Sequence, residues 1–196
     1  QGQPFGYYPS LDDHFYFVEM AWHAVVVCGR EDLLCASVAG VPLLERLALA
    51  FAVPQVDPAS GLVVCDESHR GVSFGFTDTI VHTGKLLFCS LLRYRAAVRM
   101  ADLLARAGDR SAAEAYAGIA ATISSGIPGT FAHRGGLLAA STGLSAQPDV
   151  WGSAFAVAIG ALAEPAATRV VDALNQALVS DTIAWKGNIR HVPVDG

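Results

Sequence analysis

With 196 residues, the chain is long enough for one domain with a sizeable core. It is 53% hydrophobic and only 16% charged, so several helices should bury more than one face. A net charge of −5 and the lack of a basic stripe exclude nucleic acid as the main partner.

The first ten residues, rich in Gly, Pro, Tyr and Gln, read as an extended entry segment. A first helix is expected from about Asp12 to Cys28, with Asp12 or Asp13 as N-cap and Gly29 as its stop. A second runs from about Val41 to Val53 and ends at Pro54. A long connection follows, with strand-like pieces at 61–65 and 71–76.

The third helix is expected over about Ile80 to Ala107, with Arg95, Arg99, Asp102 and Arg106 at helical spacing as a solvated stripe. Gly108-Asp109 turns the chain into a fourth helix, about Arg110 to Ser125. A second long connection covers 126–148 and holds a short strand candidate at 135–140. The fifth helix, Asp149 to Ala163, carries no charge after its cap and is expected to be buried nearly all round. Glu164-Pro165 opens a sixth that ends near Val179.

The longest clean apolar run, from Val150 to Ala163, falls short of the roughly 20 residues a membrane span needs. No membrane partner is expected. Cys28, Cys35, Cys65 and Cys89 show neither metal-ligand spacing nor a CxxC pair. Free thiols, a reducing compartment, a cytoplasmic location and no metal or other cofactor are the expectations, and no leader peptide is visible.

Connections within each helix pair are short, and those between pairs are long and carry acids, aromatics and glycines. Long connections in a compact domain are usually functional. Because helices alternate in direction, all of them should fall at one end. Asp13, Asp78 and Asp149, each leading into an apolar helix, are therefore expected at a common rim.

The segments 11–17, with Asp12-Asp13-His14-Phe15, 75–79, with Gly75-Phe76-Thr77-Asp78, and 149–155, with Asp149-Val150-Trp151-Gly152, carry a resemblance. In order and hairpin spacing the chain resembles the six-hairpin glycosidase superfamily, loosely its trehalase-like members. That resemblance implies an all-α fold, helical hairpins of an (α/α)6 toroid, with short β pieces in the long connections. About three hairpins are present, so residues 1–196 would form a single but incomplete toroid domain. Its open apolar edge would be an association surface.

The resemblance implies a hydrolase of O-glycosyl bonds acting on a carbohydrate through acid/base carboxylates. Asp78, behind Phe74 and Phe76, is the candidate general acid; burial among aromatic rings keeps a carboxyl protonated. The bland alternative is that Asp78 only caps the third helix. The base of the trehalase-like group is a glutamate near the last hairpin, and no counterpart is visible.

Candidate substrate contacts are Asp13, Phe76, His82, Asp149, Trp151, Arg190 and His191. Asp13 and Asp149 offer hydroxyl acceptors, Trp151 a stacking face, Arg190 an anion contact and His191 a proton. Capping, core packing and plain exposure are the respective alternatives. Two other functions stay open. One is a sugar epimerase or lyase on the same toroid, with His82 or His191 moving the proton. The other is a helical-hairpin binding scaffold without chemistry.

Overall fold

The computed structural model of the protein describes residues 9–68, 71–73 and 81–194. The described chain is mostly helical, with short antiparallel strand pairs in the connections. Helix α1 spans Asp13–Trp22 and continues as a π-helical turn over His23–Val27. After a 3-10 turn at Glu31–Cys35 come strands β1 (Ser37–Val38) and β2 (Val41–Pro42), then α2 (Leu43–Ala52). Strands β3 (Val64–Cys65) and β4 (Gly84–Lys85) precede α3 (Leu87–Arg106). Helix α4 covers Arg110–Thr130, and β5 (Leu138–Ala139) and β6 (Pro148–Asp149) precede α5 (Val150–Ala158). Helix α6 (Ala166–Val179) and the hairpin of β7 (Ala184–Trp185) and β8 (Asn188–Ile189) complete the order. Each strand pairs with its numerical neighbour, β1 with β2 through β7 with β8.

Helix α3 is the centre of the molecule. Leu92, Ala96, Met100 and Leu103 on it join Phe15, Val18, Leu47 and Phe51 of α1 and α2 in one core. Leu87 and Leu91 join Ile123, Ile127, Ala156 and Val170 of α4, α5 and α6 in a second. One helix serving two cores must be apolar on more than one face, as the composition required.

The contacts give the helix directions. Glu19 of α1 meets Arg95 and Arg99 of α3, and Trp22, further along α1, meets Asp102. At the start of α5, Gly152 lies against Leu87, and Tyr94 reaches Gly160 beyond its end. So α1, α3 and α5 run parallel and begin at one end of the stack. The even helices return: Phe51 near the end of α2 packs on Phe15 near the start of α1.

Several expected boundaries are corrected. Helix α3 begins at Leu87, not Ile80, because Gly84 and Lys85 pair with Cys65 and Val64 and hold the lead-in extended. His82 and Lys85 thus precede the helix, and Lys85 is tied to Asp57 at 3.1 Å. Helix α4 runs through Gly126, Pro128 and Gly129 to Thr130. Ile123, Ile127 and Phe131, all fully buried at helical spacing, outweigh the weak local propensity. Asp12 is the N-cap residue of α1, one of the two expected, but its side chain does not cap the helix. Ser10 does, its Oγ accepting from the Asp12 and Asp13 N–H groups at 3.3 and 3.1 Å.

The expected solvated stripe on α3 is instead a polar seam with α1. The Glu19 carboxylate lies 3.1 Å from Arg95 and 3.3 Å from Arg99, and these side chains are about a quarter exposed. Arg99 sits over the Trp22 ring, whose Nε1 donates to Asp102 at 2.7 Å. Only Asp102 and Arg106, at the far end, reach solvent more fully. Arg93, on another face of α3, is buried; it donates to the Phe51 carbonyl at 2.9 Å, and burial pulls its pKa down to about 10.

Helix α5 is shorter than expected, ending at Ala158 before Gly160 at φ +67°, and it is not buried all round. Trp151, Ala154 and Ala158 form an exposed stripe on it, while Ser153 and Ala156 face the core. Phe17 and Met20 of α1 and Val27 of the π-helical turn are also exposed. No described helix is long and apolar enough to cross a membrane.

Candidate functional site

The best-built polar cluster lies where α5 begins. Asp149 is the last residue of β6 and the N-cap of α5, and is 3% exposed. Its Oδ1 accepts from the Gly152 N–H at 2.7 Å and lies 3.1 Å from His191 Nε2. Glycine is needed at 152: a Cβ there would sit 2.5 Å from Asp149 Oδ2 and 2.7 Å from Leu87 Cδ2. The missing side chain lets a carboxylate fold tightly over the helix start.

His191 follows the β7–β8 hairpin, and its carbonyl accepts from the Val150 N–H at 2.9 Å. Its ring stacks on Trp151, with centroids 4.7 Å apart and planes 20° apart. The hydrogen bond to Asp149 raises its pKa above the ordinary 6.5, against the pull of burial.

His82 approaches from the β4 side, its Nε2 3.3 Å from Gln147 Nε2. Burial lowers the His82 pKa; Asp149 pulls it back up and His191 pushes it down. One carboxylate therefore faces two histidines driven in opposite directions. His82, Asp149 and His191 line a pocket with Ser73, Phe88 and Cys89. At about 20 Å³ it has room for a water, so a larger ligand would lie over its mouth.

Of the residues nominated from sequence, His82, Asp149, Trp151 and His191 come together. Trp151 supports the His191 ring with one face, and its Nε1 donates to the Ile189 carbonyl at 3.4 Å. Asp13 is exposed at the start of α1 and does not line this pocket. Arg190 turns toward Trp185, 5.8 Å from its ring centroid, and does not line it either. Asp78 and Phe76 lie outside the described residues. Gln147, just before β6, was not among the nominated residues. Ser73, Phe88 and Cys89 carried no signal that separates a pocket wall from a core.

Among the described residues, no three His, Cys, Asp or Glu side chains gather as metal ligands. No protein-family model matches the chain, and no curated protein matches it.

Proposed function

We propose that the chain is a glycosidase-like, carbohydrate-acting protein built from (α/α) hairpins of toroid type, with its site where α1, α3 and α5 begin. The observation that carries the reading is the meeting of Asp149, His191, Trp151 and His82 at the end where those parallel helices start. In hairpin stacks this is the end that collects the long connections, and loops on a rigid scaffold are where chemistry is usually placed. The reading gives proton donation to Asp78 on the sequence pattern around it. It gives Asp149 a supporting role, since its Oδ1 is engaged by the Gly152 N–H and His191.

A second reading is favoured by the opposite pKa shifts of the two histidines. Groups pushed apart in this way suit paired acid and base work. His191, its pKa raised by the hydrogen bond to Asp149, would donate a proton, and His82, its pKa lowered by burial, would accept one, as an epimerase or lyase requires.

Aryl glycosides of several sugars, assayed with wild type, Asp78→Asn, His82→Gln and His191→Gln, separate these readings. Hydrolysis lost in Asp78→Asn but retained in His82→Gln supports the glycosidase. Turnover that survives Asp78→Asn and is lost in both histidine variants supports proton transfer by histidine. A folded protein that neither binds nor turns over any sugar refutes both.

A further inference from the structure

Two further clefts flank the turn at His133–Gly136, away from the Asp149 pocket. One, of about 360 Å³, lies between this turn and the end of α6. The other, of about 250 Å³, lies between the same turn and the start of α6. His133 and Arg134 line both, and Arg169 of α6 lines the second. No aspartate or glutamate lines either cleft among the described residues. Neither Arg134 nor Arg169 has a carboxylate partner among them. In a chain of net charge −5, that is a basic wall with no counter-charge among the described residues.

The wall is preformed. Ala132 bridges to Leu138, His133 N–H donates to the Leu137 carbonyl at 3.2 Å, and Gly136 N–H returns to the His133 carbonyl at 3.0 Å. Gly136, at φ +86°, is pressed so closely on α6 that a Cβ would meet that of Ala173 at 2.9 Å. His133 Nδ1 accepts from the Gly135 N–H, which leaves Nε2 as a donor.

The opposite wall of the larger cleft has the other half of the recognition chemistry. Ser180 Oγ donates to the Gln176 carbonyl at 2.9 Å, and Thr182 Oγ1 to the Ala177 carbonyl at 3.1 Å. With their protons on these carbonyls, and the two hydroxyls 3.5 Å apart, the oxygens can accept from a ligand. Leu137 and Pro148 supply an apolar floor. Cationic donors on one wall and hydroxyl-type acceptors on the other match a ligand with an anionic end and a hydroxylated body.

We infer that these clefts form a second binding site, for a small hydroxylated organic anion such as a sugar acid or sugar phosphate, anchored by Arg134 with Arg169. The site is separate from the Asp149 pocket, although Pro148 lies next to Asp149 in β6. The inference stands apart from the glycosidase reading, because it concerns binding alone.

Calorimetric titration with glucuronate, glucose 6-phosphate and glucose tests it. At least one of the two anions should bind roughly tenfold or more tighter than glucose, as charge-assisted hydrogen bonds require. Which anion wins tells a carboxylate from a phosphate ligand. Arg134→Gln, checked for an unchanged circular dichroism spectrum, should remove the preference, and Arg169→Gln should reduce it. Asp149→Asn should leave it intact. Equal binding of all three sugars overturns the inference. So does a preference that persists in folded Arg134→Gln, or one lost in Asp149→Asn alone.

Discussion

Replacing Asp149 by asparagine separates the two jobs of this side chain. The Asn oxygen can still accept from the Gly152 N–H, and Asn caps a helix as well as Asp does, so α5 keeps its start. What disappears is the negative charge 3.1 Å from His191 Nε2. A hydrogen bond to a charged group contributes about 1.5–3 kcal/mol, and the 22% exposed His191 side chain places this one near the lower end.

The cost should depend on pH. His191 has its folded pKa raised above the unfolded 6.5 by Asp149, so the folded state holds the proton more tightly. That stabilisation is complete below the unfolded value and fades as pH rises through the raised folded value. Urea unfolding should therefore show Asp149→Asn costing about 1.5 kcal/mol near pH 5.5, and clearly less near pH 8.5. A proton NMR titration of His191 should show its pKa falling below 6.5 in the variant, since burial is then the dominant influence. An equal cost at both pH values, or an unmoved His191 titration, would refute the ion-pair account.

Three other substitutions test the packing that holds the site. Ser153 is fully buried and its Oγ accepts from the Leu138 N–H at 2.8 Å; Ser153→Ala leaves that donor stranded and should cost about 1–3 kcal/mol in urea unfolding. A loss below roughly 0.5 kcal/mol would mean the N–H finds another partner. Gly152→Ala drives a methyl group into Asp149 Oδ2 and Leu87, with an expected cost of about 1–3 kcal/mol and a lowered His191 pKa. A fully stable variant with unchanged His191 titration would contradict the close approach. Glu19→Gln removes the charge shared by Arg95 and Arg99 and should cost about 1–2 kcal/mol in low salt, and less in high salt. A cost independent of salt would show that the α1–α3 seam is held by packing instead.

Helix existence was legible because it follows from local periodicity. All six expected helices form, and short strands appear at 64–65 and 138–139 within two of the stretches that suggested them. Their ends were less legible, because ends depend on what lies outside the window. Pro128 signals a stop locally, yet Ile127 and Phe131 gain enough burial to carry α4 past it. The charged stripe of α3 was misread for a similar reason. Periodicity shows that Arg95, Arg99 and Asp102 share a face, but not that Glu19 and Trp22 of α1 cover it.

The candidate site divides in the same way. Asp149 beside Trp151 at a helix start could be read from a few adjacent residues, because capping and strand-to-helix transitions are local events. Its pairing with His191, and the approach of His82 behind Gln147, join segments far apart in the chain, and no spacing rule connects them. Their opposite pKa shifts arise only from that assembly, since burial and neighbouring charge are properties of the packed state. The basic wall of Arg134 and Arg169 depends on which side chains line the two clefts, with no carboxylate among the described ones. Sequence by itself determined the helices, their pairing into hairpins and the Asp149 cap, all set by local periodicity and short connections. The tertiary fold alone decided which charges meet, because parallel helices bring distant residues to one end while covering others.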